Sequence, residues 1–157
     1  MNKDEIIHLL SEVMDPEIPV VSIADLGILR KVDVNGENIR ILITPTYSGC
    51  PAMETIQEDI RLTLGKHGLK NVEIEQSLSP AWTTDWISES GKQKLQDYGI
   101  AAPAANGCAL QGEDHPAFCP HCHSQNIELI SRFGSTACKA LYRCLSCLEP
   151  FDYFKCH

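Results

Sequence analysis

The sequence predicts an α+β fold: a small helix-strand-strand-helix-strand domain, followed by a compact C-terminal module organised round cysteines. Three observations carry this. Apolar spacing changes from helical to alternating and back over the first 78 residues. A non-periodic stretch rich in Ala, Gly and Pro then runs from 100 to 116. Beyond it stand two C-x-x-C pairs. The boundaries follow as 1–99 for the α+β domain with a Trp-containing extension, 100–116 for a linker, and 117–157 for the cysteine module.

Asp4 and Glu5 open a first helical turn, where acids complement the helix dipole. Ile6, Ile7, Leu10, Val13 and Met14 continue at helical spacing, and Pro16 sets the expected end. Asp15 to Gly27 is apolar but irregular, and its two prolines exclude a central strand. Ile28 to Val34 reads as a strand, Asn35-Gly36 as a turn, and Ile39, Ile41 and Ile43 as the inward face of a second strand. Ile56, Ile60 and Leu64 step by four along a helix that Gly68 can close. Val72, Ile74 and Gln76 to Leu78 suggest a third strand. Thr83 or Thr84 can cap a further helix running to Tyr98, with Gly99 as its stop. Trp82 and Trp86, four residues apart, read as core residues or as a partner-binding face.

Composition bounds the function. The chain has 157 residues, 43% apolar and 22% charged, as expected of a folded soluble protein. No apolar run approaches the roughly 20 residues of a membrane span. The N-terminus lacks the basic start and apolar core of a signal peptide, which places the protein in the cytoplasm. The net charge of −8 is unevenly shared: residues 1–115 carry −9 and residues 116–157 carry +1. An acidic body opposes nucleic-acid binding and suits a protein partner.

A reducing compartment directs eight cysteines towards metal or reactive thiols and away from disulfides. Cys119, Cys122, Cys144 and Cys147 form the two C-x-x-C pairs, with 21 residues between the pairs. Two knuckle turns can aim four thiolates at one ion, the closed tetrahedral arrangement of structural zinc, with iron as the rival occupant. A module of roughly 40 residues buries too little core to fold alone, so metal is the expected staple. Ile127, Leu129 and Ile130, then Ala140 to Arg143, supply short strands between the knuckles, and the module reads as a four-cysteine zinc ribbon. Cys138 and Cys156 fit packing beside Phe151, Tyr153 and Phe154, and Cys108 has no evident partner.

Cys50 stands apart, with Pro51 opening the helix behind it. A thiol at a helix N-terminus is expected to ionise more readily than a free one. The alternative is a small buried hydrophobe. A thiol enzyme needs a base, and the first domain offers only His8 and His67, both within helical patterns. No phosphate-binding loop, dinucleotide turn or zinc-protease histidine pair is present. A non-catalytic protein is expected.

Asp15-Pro16-Glu17-Ile18-Pro19, Asp25-Leu26-Gly27 and Thr44-Pro45-Thr46-Tyr47-Ser48-Gly49-Cys50-Pro51 resemble the signature of the MIP18 (DUF59) family of iron–sulfur assembly domains. Ser79 to Ile87, Phe133 to Cys144 and Phe151 to His157 resemble the PaaD (PaaJ) family, accessory proteins of phenylacetyl-CoA epoxidase systems, and the similarity then spans essentially the whole chain. The resemblance implies an MIP18-like domain joined to a zinc ribbon, and a role in aerobic phenylacetate degradation. It implies help with iron–sulfur cluster assembly in the reductase component (PaaE-like), contact with other epoxidase subunits, and no catalysis. It carries the family's cysteine to Cys50 and its acidic loop residue to Asp25 as a transient iron or cluster site. Since clusters normally take four cysteine ligands, Cys50 needs a partner protein, Asp25, or a homodimer that pairs two Cys50 thiols. A structural or electron-transfer subunit, with iron in the ribbon, is the alternative function.

Overall fold

The computed structural model describes residues 1–103 and 115–155. Cys108, Cys156 and His157, and the linker from 104 to 114, lie outside the described residues. The chain divides into two compact units, Met1–Trp82 and Thr83–His157. No helix among the described residues is long and apolar enough to cross a membrane.

The first unit opens with α1, Lys3–Leu10. The Glu5 N–H donates to Asn2 Oδ1 at 2.9 Å, and the Asn2 N–H donates to Glu5 Oε2 at 2.7 Å. This capping box satisfies two donors that a helix start leaves orphaned. The helix stops earlier than its apolar spacing suggests, and Val13 and Met14 fall outside it. Main-chain pairing takes over: Asp15 N–H donates to Val21 C=O and Ile23 N–H to Val13 C=O, each at 2.9 Å. The apolar loop therefore folds back on itself, burying Val13, Ile18, Val21 and Ile23.

Strands β1 (Leu29–Asn35) and β2 (Asn38–Ile43) form the expected hairpin. Asn35 pairs with Asn38, so the two-residue loop is Gly36-Glu37, one position later than the Asn-Gly signal. Gly36 takes φ of +62°, the left-handed geometry that glycine supplies at the first central position of such turns. Helix α2 (Ala52–Lys66) then carries the chain to β3 (Asn71–Gln76), which pairs parallel to β2. The sheet order is β1-β2-β3. One face of β2 buries Ile39, Ile41 and Ile43, and α2 buries Ile56, Ile60 and Leu64. Each such side chain contributes about 1.5–3 kcal/mol when fully removed from water. Helix α1 touches both α2 and β1, so the helices share the apolar side of the sheet. The opposite side is polar, with an exposed Arg40–Glu73 ion pair worth about 1 kcal/mol or less.

Trp82 ends this unit as a core residue, 5% exposed, and its indole N–H donates to the Leu26 carbonyl at 2.8 Å. Trp86 is half-buried and lies in a 3-10 turn, Thr84–Trp86. The single helix expected after Thr83 is therefore two elements. Ser88 starts a new one, α3 (Glu89–Asp97), by accepting the Gly91 N–H at 2.9 Å.

The second unit holds a four-stranded sheet, in order β4-β7-β6-β5. Its strands are β4 (Ile100–Ala101), β5 (Ile127–Ser131), β6 (Lys139–Cys144) and β7 (Pro150–Phe154). Strands β5 and β6 match the expected pair. Strand β7 was legible only as an apolar neighbourhood. The stretch read as a linker opens with β4, which pairs parallel with Asp152 and Tyr153. Gly99 precedes β4 at φ +89°, and a Cβ there would lie 3.0 Å from His121 Cε1.

Two substitutions probe the units separately. Trp82→Phe leaves the Leu26 carbonyl without its buried donor and should cost about 1–3 kcal/mol. Gly99→Ala adds backbone strain at φ +89° and a tight contact with the His121 ring, and should cost about 1–3 kcal/mol. Urea unfolding followed by backbone circular dichroism measures both.

Candidate metal centre and the Cys50 loop

Each C-x-x-C pair folds into the same turn. The Cys119 N–H donates to Ser124 C=O at 2.8 Å, and the Cys144 N–H to Glu149 C=O at 3.0 Å, five residues on in both cases. The residue after the second cysteine is left-handed in each turn, His123 at φ +63° and Leu148 at φ +66°. In each turn the first sulfur accepts an N–H from two residues on, His121 at 3.4 Å and Ser146 at 3.3 Å. The two turns meet at a Ser124–Ser146 hydroxyl contact of 2.7 Å. The two knuckles are thus copies of one motif, facing each other.

Their four sulfurs lie within 4.8 Å of one another. Cys119 and Cys147 are 3.8 Å apart, and Cys122 and Cys144 are 3.5 Å apart. These are free thiols, too far apart for disulfides. A tetrahedral ion with bonds of about 2.3 Å to sulfur separates its ligands by about 3.8 Å, so the donor set fits such an ion. Cys119 and Cys144 are buried, Cys147 is half-buried and Cys122 is exposed.

Electrostatics favours a cation here. The N–H groups of Cys147 and Ser146 point at the Cys144 sulfur and bring its pKa down to about 6, against the effect of burial. Cys147 is pushed up to about 12: the Glu149 N–H pulls it down, but burial and the Cys144, Cys122 and Cys119 thiols outweigh that pull. Cys122 is also raised: the Ser124 N–H pulls it down, but the Cys144 sulfur and burial outweigh that pull. One thiolate forms readily, and its neighbours then hold their protons. A divalent ion relieves that repulsion and turns all four into ligands.

The other nearby side chains have different work. His123 stacks on Phe118 with centroids 5.3 Å apart, and its Nε2 lies 3.5 Å from Gln96 Nε2. His121 packs against Gly99. Cys138 is buried, with its sulfur 3.0 Å from Thr136 Oγ1. Among the described residues the cluster contains the four cysteines and no histidine or carboxylate.

Cys50 sits where β2 hands over to α2, with Pro51 as the helix cap. Its N–H donates to Tyr47 C=O, and its own carbonyl accepts the Met53 N–H, each at 3.3 Å. The thiol is hydrogen-bonded by the Ala52 N–H and the Tyr47 side chain, both of which favour the thiolate. The pKa is nevertheless raised, opposite to the expectation from helix position. Burial is the largest cause, and the charges of Glu17 and Asp15 add to it. The helix-start argument omitted the two acids that the folded-back loop brings to bear on the sulfur.

Asp15 is buried and accepts the Glu17 and Ile18 N–H groups at 2.8 and 2.9 Å, shaping that loop. Asp25 is half-buried and exchanges hydrogen bonds with Ser22: its Oδ2 accepts the Ser22 N–H at 3.1 Å, and its N–H donates to Ser22 Oγ at 3.0 Å. The acids whose charge bears most on Cys50 are Glu17 and Asp15, not Asp25. Sequence reasoning missed Tyr47, Asp15 and Glu17 as neighbours of the thiol, although all three lie in the quoted motifs.

Metal affinity should fall as pH falls. The raised thiols of Cys147 and Cys122 are protonated in the metal-free protein at neutral pH, so binding expels protons. Each expelled proton weakens apparent affinity by roughly tenfold per pH unit of acidification. Competition with a chromophoric chelator between about pH 8 and pH 5 measures the slope, and a flat profile contradicts it.

The family model for the PaaD zinc beta ribbon domain matches residues 103–155, and that for an iron–sulfur cluster assembly protein matches residues 3–75. The chain is 51% identical over 152 residues to a protein of Escherichia coli K12 assigned as a subunit of 1,2-phenylacetyl-CoA epoxidase, covering 97% of this chain and 92% of that one. It is 36% identical over 95 residues to an Fe-S protein maturation auxiliary factor of Porphyromonas gingivalis W83, covering 59% of this chain and 90% of the relative. Among solved structures, a DUF59 domain from Bacillus anthracis superposes with a TM-score of 0.56 at 27% identity, over 59% of this chain and 90% of that one. A conserved hypothetical protein from Thermotoga maritima superposes with a TM-score of 0.52 at 27% identity, over 60% and 94%. The chain belongs to the PaaD family of phenylacetyl-CoA epoxidase subunits, in which a DUF59-type iron–sulfur cluster assembly domain precedes a zinc beta ribbon.

Proposed function

We propose that this protein assists iron–sulfur cluster assembly in the reductase component of a phenylacetyl-CoA epoxidase system. In this reading Cys50 is a transient ligand for iron or a cluster in transit, and Cys119, Cys122, Cys144 and Cys147 hold a structural zinc. The carrying observation is the separation of thiols. Four sulfurs form one closed set within 4.8 Å, while the half-buried Cys50 lies outside it, in the loop between β2 and α2 of the assembly-type domain.

The state of Cys50 suits a carrier. Its raised pKa keeps it protonated and quiet at rest. A metal ion deprotonates a coordinating thiol outright, and the Ala52 N–H and Tyr47 then stabilise the sulfur's charge. Neither of those groups is a general base of the kind a thiol enzyme uses, which supports a non-catalytic role. One thiolate does not hold a cluster alone, so the remaining ligands come from the recipient or from the Cys50 of a second copy. Asp25 would have to release the Ser22 N–H to join them.

The ribbon's soft, all-sulfur, tetrahedral donor set suits zinc, which supplies folding free energy and no redox chemistry. Elemental analysis of the purified protein should give one zinc per four-cysteine cluster and a colourless solution. Iron with visible absorbance would favour an electron-transfer subunit instead. Co-expression with the reductase, with native protein or Cys50→Ala, tests the central role. Reductase iron content should drop with the variant while the variant's own zinc is unchanged, and an undiminished iron content sinks the carrier reading.

A further inference from the structure

The apolar core of the second unit does not close at its β5 edge. Ala140 and Tyr142 of β6 form the floor of a shallow groove of about 480 Å³. Leu129, 47% exposed, and Phe133, 69% exposed, supply its apolar walls. Arg132 and Lys155 complete the lining, which contains no carboxylate among the described residues.

The groove is held in shape. Lys155 Nζ lies 4.5 Å from the centroid of the Phe133 ring and donates to the Arg132 carbonyl at 2.8 Å. One ammonium thus fixes the turn after β5 and keeps its charge at the rim. Strand pairing explains why no acid reaches the groove. Leu129 lies opposite Tyr142 on the groove face, so Glu128 and Arg143, the next pair along, face the other way and neutralise each other there. An irregularity between Leu129 and Ser131 kinks the outer strand. A kinked edge is a poor template for an added strand, so side-chain docking is favoured over strand addition.

We propose that this groove docks an acidic segment of a partner protein, with one apolar side chain seated on Tyr142 between Leu129 and Phe133 and carboxylates met by Lys155 and Arg132. Charge selects the occupant. The groove offers two cations and apolar walls, which suits an acid-flanked apolar anchor. A second copy fits less well, because each chain carries −8 and most of its surface would repel its twin. The inference does not depend on the role of Cys50.

The test uses the full-length, metal-loaded protein and fluorescein-labelled peptides of about a dozen residues, each with a central Phe flanked by Glu and Asp; controls carry Lys flanks or Ser in place of the Phe. The acidic Phe peptide should bind saturably, and both controls should bind at least about tenfold more weakly. Phe133→Ser and Lys155→Glu should each weaken the acidic peptide by about tenfold while metal content is retained, which certifies the fold. Raising salt from about 0.05 to 0.5 M should also weaken it. Should either variant lose its metal, Leu129→Ser replaces it, and the salt and peptide series on the native protein stand by themselves. The proposal is overturned by absence of saturable binding, by equal binding of acidic and basic peptides, or by indifference to the variants. A dimer that Phe133→Ser abolishes overturns it too, by making a second copy the occupant.

Discussion

Four sulfurs held within 4.8 Å of one another are the constraint on which the second unit depends. Cys119 and Cys144 are not appended to a core; they are part of it. They belong to the buried cluster of Ala101, Ala140, Tyr142, Phe151 and Tyr153, with Ile127 and Cys147 packed against it. Tyr142 stacks on Phe151 at 6.0 Å and meets Tyr153 edge-on at 5.8 Å, directly behind the ligand set. So small a cluster offsets only part of the conformational entropy of its strands, and an ion bound by the four thiolates would supply the remainder.

The first unit is built on a different principle. Its two helices and three-stranded sheet bury an ordinary aliphatic core, from Ile6 and Leu10 through Ile41 to Leu64. Cys50, half-buried, is not among those core side chains. The loop around it is nonetheless rigidly specified. Asp15 caps two N–H groups, Asp25 and Ser22 exchange hydrogen bonds, and Trp82 holds the Leu26 carbonyl. The signature residues shape the neighbourhood of the thiol more than they touch it. The four-cysteine set and Cys50 thus belong to separate units, and under the proposed function exchange at Cys50 would leave the ribbon's ligands untouched.

Much of this was legible in the sequence because it rests on local rules. Alternation at Ile39, Ile41 and Ile43, four-residue steps at Ile56, Ile60 and Leu64, and two C-x-x-C spacings each have one simple structural solution. The losses came where non-local pairing overrode local spacing. Val13 and Met14 have helical spacing, yet Val13 is drawn into main-chain pairing with Ile23 across the loop. Ile100 and Ala101 sit in a small-residue stretch, yet find a partner strand some fifty residues on. The ionisation of Cys50 follows the same logic. The helix start was visible locally, but burial and the charges of Glu17 and Asp15 are products of tertiary structure.

In this division of labour an ion would hold the second unit together, and the first would stand without it. Hydrogen exchange before and after stripping the metal with a thiol-competitive chelator tests this most directly. Amides of Lys139–Cys144 and Pro150–Phe154 should lose their protection, whereas those of Asn38–Ile43 and Ala52–Lys66 should keep theirs. Retained protection in the ribbon strands, or matching loss in β2 and α2, would contradict it.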